Sequence, residues 1–257
     1  MKRLIISYIK FWLKSKNEHG VQSPFVFDLV TKCFYDKTKH NKYTNLKKYN
    51  KYLLTNDNTI EVTDLGVGSH VMKSNTRFVS QMAKNAGTTL HRAKLFYRLI
   101  SYLKCNTILE LGTSMGIATH AMHLANPKAN ITTIEGCPNI SNFTSNTFKQ
   151  FGLKNINVLT GDFNEVTKTL TSNIYDLIYF DGNHQKEATI NYFETLLPTA
   201  HNDSVFIFDD IYWSKGMTEA WEIIKQHPQV TITIDTFFWG IVFFRKEQAK
   251  EHFTIRV

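Results

Sequence analysis

The stretch that decides the reading is Thr107-Ile108-Leu109-Glu110-Leu111-Gly112-Thr113-Ser114-Met115-Gly116. It opens as a short apolar run, turns through two glycines, and continues as a helical pattern to Leu124. Strand, glycine turn and helix in that order predict a βαβ unit whose backbone comes close to a ligand at Gly112 and Gly116. The helix N-terminus then faces the same ligand with its amide donors. A nucleotide-type turn also needs a second parallel strand ending in an acid about 20 residues on. Ile131-Thr132-Thr133-Ile134-Glu135, followed by Gly136, supplies both. A dinucleotide turn reads G-x-G-x-x-G, whereas the position two after Gly112 is Ser114, so the pyrophosphate reading weakens.

A second segment has a similar shape: Glu61-Val62-Thr63-Asp64-Leu65-Gly66-Val67-Gly68-Ser69. Two helical patterns follow it and no acidic strand does, so it is expected to serve as a structural or lid element. The loop His19-Gly20-Val21-Gln22-Ser23-Pro24-Phe25 is also specific in sequence, with no role assigned to it.

Apolar runs at 106–111, 130–135, 155–159, 175–180, 204–208, 229–236 and 239–245 alternate with helical stretches. They predict an α/β, Rossmann-like, seven-stranded and mainly parallel sheet, the last two runs pairing as a C-terminal antiparallel hairpin. Residues 105–257 are read as the cofactor-binding domain. Residues 1–104 are read as a helical N-terminal cap or lid, with helices at 3–16, 24–35, 75–86 and 89–104. Segment 39–51, biased toward Lys, Asn and Tyr, is expected to be an exposed loop.

With 257 residues, 42% of them hydrophobic, the chain can bury a sizeable core. Cys33, Cys105 and Cys137 are odd in number and far apart, which fits neither a disulfide framework nor a paired zinc motif and points to a reducing cytoplasm. The N-terminus begins like a signal peptide, but Lys10 and Lys14 interrupt the apolar run and no small-residue cleavage site follows. A short amphipathic helix packed on the domain or on a partner is expected, and no stretch approaches the ~20 apolar residues that span a bilayer. Residues 1–104 carry 19 Lys and Arg against 6 Asp and Glu, and residues 105–257 carry 11 against 16, so the halves stand at +13 and −5. The basic half suits an anionic small molecule, or nucleic acid as a lesser alternative.

Two further strands end in acids, at Tyr179-Phe180-Asp181-Gly182-Asn183-His184 and Ile207-Phe208-Asp209-Asp210. Ligands collect at the carboxyl ends of such strands, so Asp181, Asp209 and Asp210 should converge there. Three carboxylates repel unless a cation neutralises them, and oxygen ligands suit Mg²⁺, Mn²⁺ or Ca²⁺. The alternative is that these aspartates cap the helices that follow.

Residues 105–245 resemble the class I S-adenosylmethionine-dependent methyltransferases, and within them the catechol-O-methyltransferase-like small-molecule enzymes. The resemblance implies that Glu110, Gly112, Thr113, Ser114 and Gly116 surround the methionine part of the donor. Glu135 with Gly136 would hold the ribose, and Asp162 of Gly161-Asp162-Phe163 would lie near the adenine. Asp181 would stand beside the donor and, with Asp209 and Asp210, hold a divalent metal; the Asp-Asp pair departs from the Asp-Asn pair of those enzymes. His184 occupies the place of their proton-removing lysine, and imidazole suits a general base near neutral pH. The activity implied is metal-assisted methyl transfer to an oxygen of a small molecule, Asp181 and His184 being the catalytic pair. Tyr212, Trp213 and Trp239 are candidates for an aromatic acceptor wall. RNA ribose methylation, a dehydrogenase and a non-catalytic cofactor-binding protein are the alternatives. The apolar N-terminal helix would also suit a homodimer.

Overall fold

The computed structural model describes residues 2–63, 74–85 and 87–257. Helix α1 (Lys2–Lys14) leads into α2 (Pro24–Leu29), which continues as a π turn over Val30–Phe34, and then α3 (Tyr43–Leu54). Strands β1 (Thr59–Glu61) and β2 (Thr76–Phe78) pair antiparallel as a separate small sheet, followed by α4 (Val79–Asn85) and α5 (Leu90–Leu103). The alternating part comprises β3 (Thr107–Leu111), α6 (Ile117–Ala125), β4 (Asn130–Glu135), α7 (Pro138–Gln150), β5 (Ile156–Thr160) and α8 (Phe163–Lys168). It continues through β6 (Tyr175–Phe180), α9 (Lys186–Leu196), β7 (Ala200–Asp209) and α10 (Lys215–Gln226) to β8 (Ile232–Asp235), β9 (Trp239–Phe243) and β10 (Glu251–Thr254).

The large sheet runs β10-β8-β9-β7-β6-β3-β4-β5. Only β9 is antiparallel to its neighbours, because it returns from β8 as the expected hairpin, Ile232 opposite Phe243. The seven expected strands are therefore joined by an eighth, the polar four-residue β10, which pairs parallel to β8 at the edge. Each of the three chief strands alternates strictly. Ile108, Leu177, Tyr179, Val205 and Ile207 enter one core, which also holds Val26, Leu29, Tyr49, Leu53 and Phe96 of the N-terminal helices. Leu109, Leu111, Ile178, Phe180, Phe206 and Phe208 enter the other, with Phe193 of α9 and Trp221 of α10. This period of two is what a strand covered on both faces requires.

Segment 39–51 differs from expectation. It holds most of α3, with Leu46, Tyr49 and Leu53 buried at spacings of three and four. A one-sided apolar stripe was masked by the polar residues on the exposed side. The loop His19–Phe25 has a structural use: the Ser23 side chain caps α2 and Phe25 packs edge-on against Phe243 at 5.1 Å. The glycines of Asp64–Ser69 lie outside the described residues; the part before them, β1, belongs to the small sheet.

Trp221 lies flat over β9 at Gly240, where a Cβ would come 2.6 Å from the indole ring. Both are buried, so the ring cannot retreat without disturbing Phe208 beside it, 6.5 Å away centre to centre. Gly240→Ala is expected to lower stability by about 1–3 kcal/mol, the usual cost of overpacking, read as a shift in the urea midpoint with an unchanged slope.

Candidate active site

Strand order reverses between β3 and β6, so their carboxyl ends open a crevice at the sheet's switch point. The turn Gly112–Gly116 forms one wall. Gly112, Ser114 and Gly116 all have positive φ, at 104°, 46° and 69°. A Cβ on Gly112 would collide with the Asp181 carbonyl, and one on Gly116 would reach within 2.5 Å of the Phe148 ring. The turn is tied down from several sides. Gly112 and Thr113 donate their amides to the Ile134 carbonyl at 2.9 and 3.1 Å. The Ser114 carbonyl accepts from Thr144 Oγ1 at 2.7 Å, and the Met115 carbonyl from the Tyr49 hydroxyl at 2.9 Å. Glu135 closes the set, its Oε2 accepting from the Ser114 amide at 2.8 Å and its Oε1 from the Cys137 amide at 2.9 Å. Gly136 makes the bend that carries the chain from Glu135 into α7.

Glu110 sits beneath this turn and is fully buried. Its Oε2 accepts from Thr119 Oγ1 at 2.5 Å and Thr133 Oγ1 at 2.6 Å, while Oε1 has no partner. Burial pushes its carboxyl up to about 7, with the two threonine hydroxyls pulling the other way and Glu135 adding repulsion. Glu110 therefore supports the turn from below rather than lining the crevice.

The opposite wall holds the acids. Asp181 follows β6, Asp209 ends β7, and Asp210 comes next with φ of 52°. Burial, repulsion from Asp209 and a hydrogen bond shared with it push the Asp181 carboxyl well above the usual range. Burial and Asp209 raise Asp210 to about 6, against the pull of His184 and Arg92. The cation in this cluster is Arg92, from the first turn of α5. Its Nη1 donates to Asp209 Oδ1 at 3.2 Å and Oδ2 at 3.3 Å, its Nη2 lies 3.9 Å from Asp210 Oδ1, and its guanidinium stacks 4.5 Å above the Phe238 ring.

At the expected metal site of Asp181, Asp209 and Asp210, the chain itself supplies a counter-charge. Both Asp209 oxygens face the guanidinium, Asp181 shares a hydrogen bond with Asp209, and among the described residues no three His, Cys, Asp or Glu side chains are placed to hold a metal. Arg92 and the raised Asp181 carboxyl meet part of the charge that called for a metal. A lone arginine among 30 basic residues carried no mark in the sequence.

His184 stands at the rim, its Nε2 3.9 Å from Asp181 Oδ1 and its ring 6.5 Å from that of Trp213. Both line a cleft of about 880 Å³, together with Arg3, Lys186, Lys215 and Glu219.

Comparison with known proteins fits this geometry. A family model described as a methyltransferase domain matches residues 109–211, the span from β3 to just beyond Asp210. Residues 109–211 are a methyltransferase domain. The same fold occurs in the methyltransferase PaMTH1 of Podospora anserina bound to S-adenosylhomocysteine, with a TM-score of 0.63 at 15% identity over 88% of this chain and 97% of that one. It occurs also in the O-methyltransferase TomG of Streptomyces achromogenes, involved in tomaymycin synthesis and solved with S-adenosylmethionine, at 0.57 and 14% identity over 81% and 91%. An O-methyltransferase of Bacillus cereus with S-adenosylhomocysteine aligns at 0.53 and 16% over 82% and 94%. A tRNA (guanine-N(7)-)-methyltransferase of Mycoplasma mobile is 32% identical over 72 residues, which is 28% of this chain; the match spans about a third, 36%, of that protein.

Within the methyltransferase domain, the structure brings Gly112, Thr113, Ser114, Gly116, Glu135 and Asp181 to one crevice. Asp162, just after β5, is the exposed N-cap of α8 and accepts from the Asn164 amide at 2.8 Å. Trp239 is buried against Phe96 and Tyr179, at 4.4 and 6.2 Å between ring centres, and lines no mouth. Tyr212 stacks on Phe237 at 5.1 Å and donates to Asp235 at 2.6 Å, leaving Trp213 as the exposed aromatic.

Because Glu110 titrates higher in the folded chain, at about 7, than its ordinary value of 4.5, ionising it costs stability. That cost is absent below pH 4.5, grows as pH rises from 4.5 to about 7 and levels off above that, reaching on the order of 3 kcal/mol. Urea midpoints should fall between about pH 4.5 and pH 7 in the wild type and level off above that, and Glu110→Gln should remove most of that fall; an unchanged pH dependence in the variant would assign it elsewhere.

Proposed function

We propose that the chain is an S-adenosylmethionine-dependent methyltransferase that acts on an oxygen of a small molecule. The observation that carries this is the meeting, at one switch point, of a positive-φ glycine turn with no room for a Cβ, an acid at the end of the neighbouring strand, and Asp181 with His184 across the crevice. When bound, the donor supplies a methyl group on a positively charged sulfur. Gly112, Thr113, Ser114 and Gly116 would cradle its methionine part, Glu135 with Gly136 its ribose, and Asp162 its adenine edge.

His184 would take the proton from an acceptor hydroxyl. It lines the cleft, and Asp181 Oδ1 lies 3.9 Å from its Nε2, near enough to bias the ring's orientation. Arg92 lends positive charge to the acid cluster, where a metal would do so in the catechol-type enzymes. Trp213 offers a flat apolar surface for the acceptor, and Arg3, Lys186 and Lys215 against Glu187 and Glu219 leave the cleft a small positive excess that suits an anionic acceptor.

The test is methyl transfer from labelled S-adenosylmethionine to a panel of catechols, hydroxylated acids and sugars, with Mg²⁺ or with EDTA. Transfer to oxygen at equal rates in both conditions is expected. His184→Ala should lower kcat by about 10²–10⁴, the usual contribution of a positioned base, with donor binding retained. Full turnover in that variant would remove His184 from the chemistry, and a strict Mg²⁺ requirement would remove Arg92 from its role.

A further inference from the structure

Helix α1 lies on the domain the wrong way round for an ordinary surface helix. Arg3, Ser7 and Phe11, spaced four apart, face the body: Arg3 donates to the Tyr212 carbonyl at 3.3 Å and to Thr218 Oγ1 at 2.7 Å, and Phe11 packs on Phe237 at 5.5 Å. The apolar residues point outward. Leu4, Ile5, Ile6, Ile9, Trp12 and Leu13 are all exposed, Leu13 at 71%. At 100° per residue they cover a continuous arc of about 200°. Exposed Lys10 and Lys14 lie along one margin of it, Arg256 sits 5.6 Å over the Trp12 ring, and the helix contains no acidic residue.

We propose that α1 docks this protein on the surface of membranes rich in anionic lipid. A helix with aromatic and aliphatic residues on one side and only basic charge at its margin matches the two halves of such an interface: acyl chains take up the apolar arc and lipid phosphates the lysines. The same features argue against a second copy as the occupant. An isologous pairing would bring the lysines of two helices together with no acid in either helix to offset them. Among the described residues no helix is long and apolar enough to cross a membrane, so the contact is one of lying on the surface. Arg3 and Leu4 also line the cleft that holds His184, which sets the cleft mouth beside the headgroups.

Sedimentation of the full chain with phosphatidylcholine vesicles, with and without phosphatidylglycerol, tests this. Binding only to the anionic vesicles is expected, weakened by salt, with a blue shift in tryptophan emission that Trp12→Phe removes. Lys10→Gln with Lys14→Gln should weaken it about 25-fold, each lysine near such a surface contributing about fivefold. Ile9→Glu with Leu13→Glu should abolish it while leaving the melting temperature intact, since both side chains are exposed. Absence of binding to the anionic vesicles, or a stable dimer in sedimentation velocity that the Ile9→Glu, Leu13→Glu variant splits, would overturn the proposal.

Discussion

The site depends on the close approach of two backbones at the carboxyl edge of the sheet. Gly112 leaves β3 with its Cα pressed against the Asp181 carbonyl that leaves β6, and the Asp181 amide in turn donates to the Leu111 carbonyl at 2.8 Å. Any side chain at position 112 would wedge these strand ends apart. Because they are in contact, the turn must bend away through residues of positive φ, and that bend exposes the first turn of α6 toward the crevice. The Tyr49 and Thr144 hydroxyls fix the turn's carbonyls, so an N-terminal helix and a helix of the alternating part both hold the same five residues. Glu135, bridging the amides of Ser114 and Cys137, makes the position of the second acid a consequence of the first turn.

Across the crevice the controlling term is electrostatic. Three carboxylates sit where water is scarce, and one guanidinium offsets part of their charge. The contact from Arg92 Nη1 to both Asp209 oxygens is charge-assisted and therefore stronger than a neutral hydrogen bond. It anchors α5 to the end of β7 and thereby the N-terminal helices to the site. Burial and its neighbours raise the Asp181 carboxyl well above the usual range, which eases the repulsion in the crevice beside it.

The strands were legible because their apolar runs are short, bounded and β-branched: β4 begins and ends at the residues expected, and the acids that end β3's neighbours are visible as abrupt polar stops. What escaped has a physical reason in each case. The stripe of α3 is only Leu46, Tyr49 and Leu53 within a lysine-rich stretch, and composition hid periodicity. Strand β10 is four residues long and mostly exposed, stabilised by pairing with β8 and not by any pattern of its own. Arg92 lies 117 residues from Asp209, and no local signal announces a contact that tertiary folding alone creates. The acid cluster was placed correctly at the strand ends, and its counter-charge was assigned to a metal because the sequence shows carboxylates in sequence order but not the guanidinium that folds back onto them.

The central claim is that the turn at Gly112 is a cradle for S-adenosylmethionine, and calorimetric titration tests it most directly. The wild-type chain should bind S-adenosylmethionine at one site and take up no NAD, and Gly112→Ala, with its fold verified by circular dichroism, should lose that binding. Binding of NAD in place of S-adenosylmethionine, or undiminished donor affinity in a folded Gly112→Ala variant, would contradict the account.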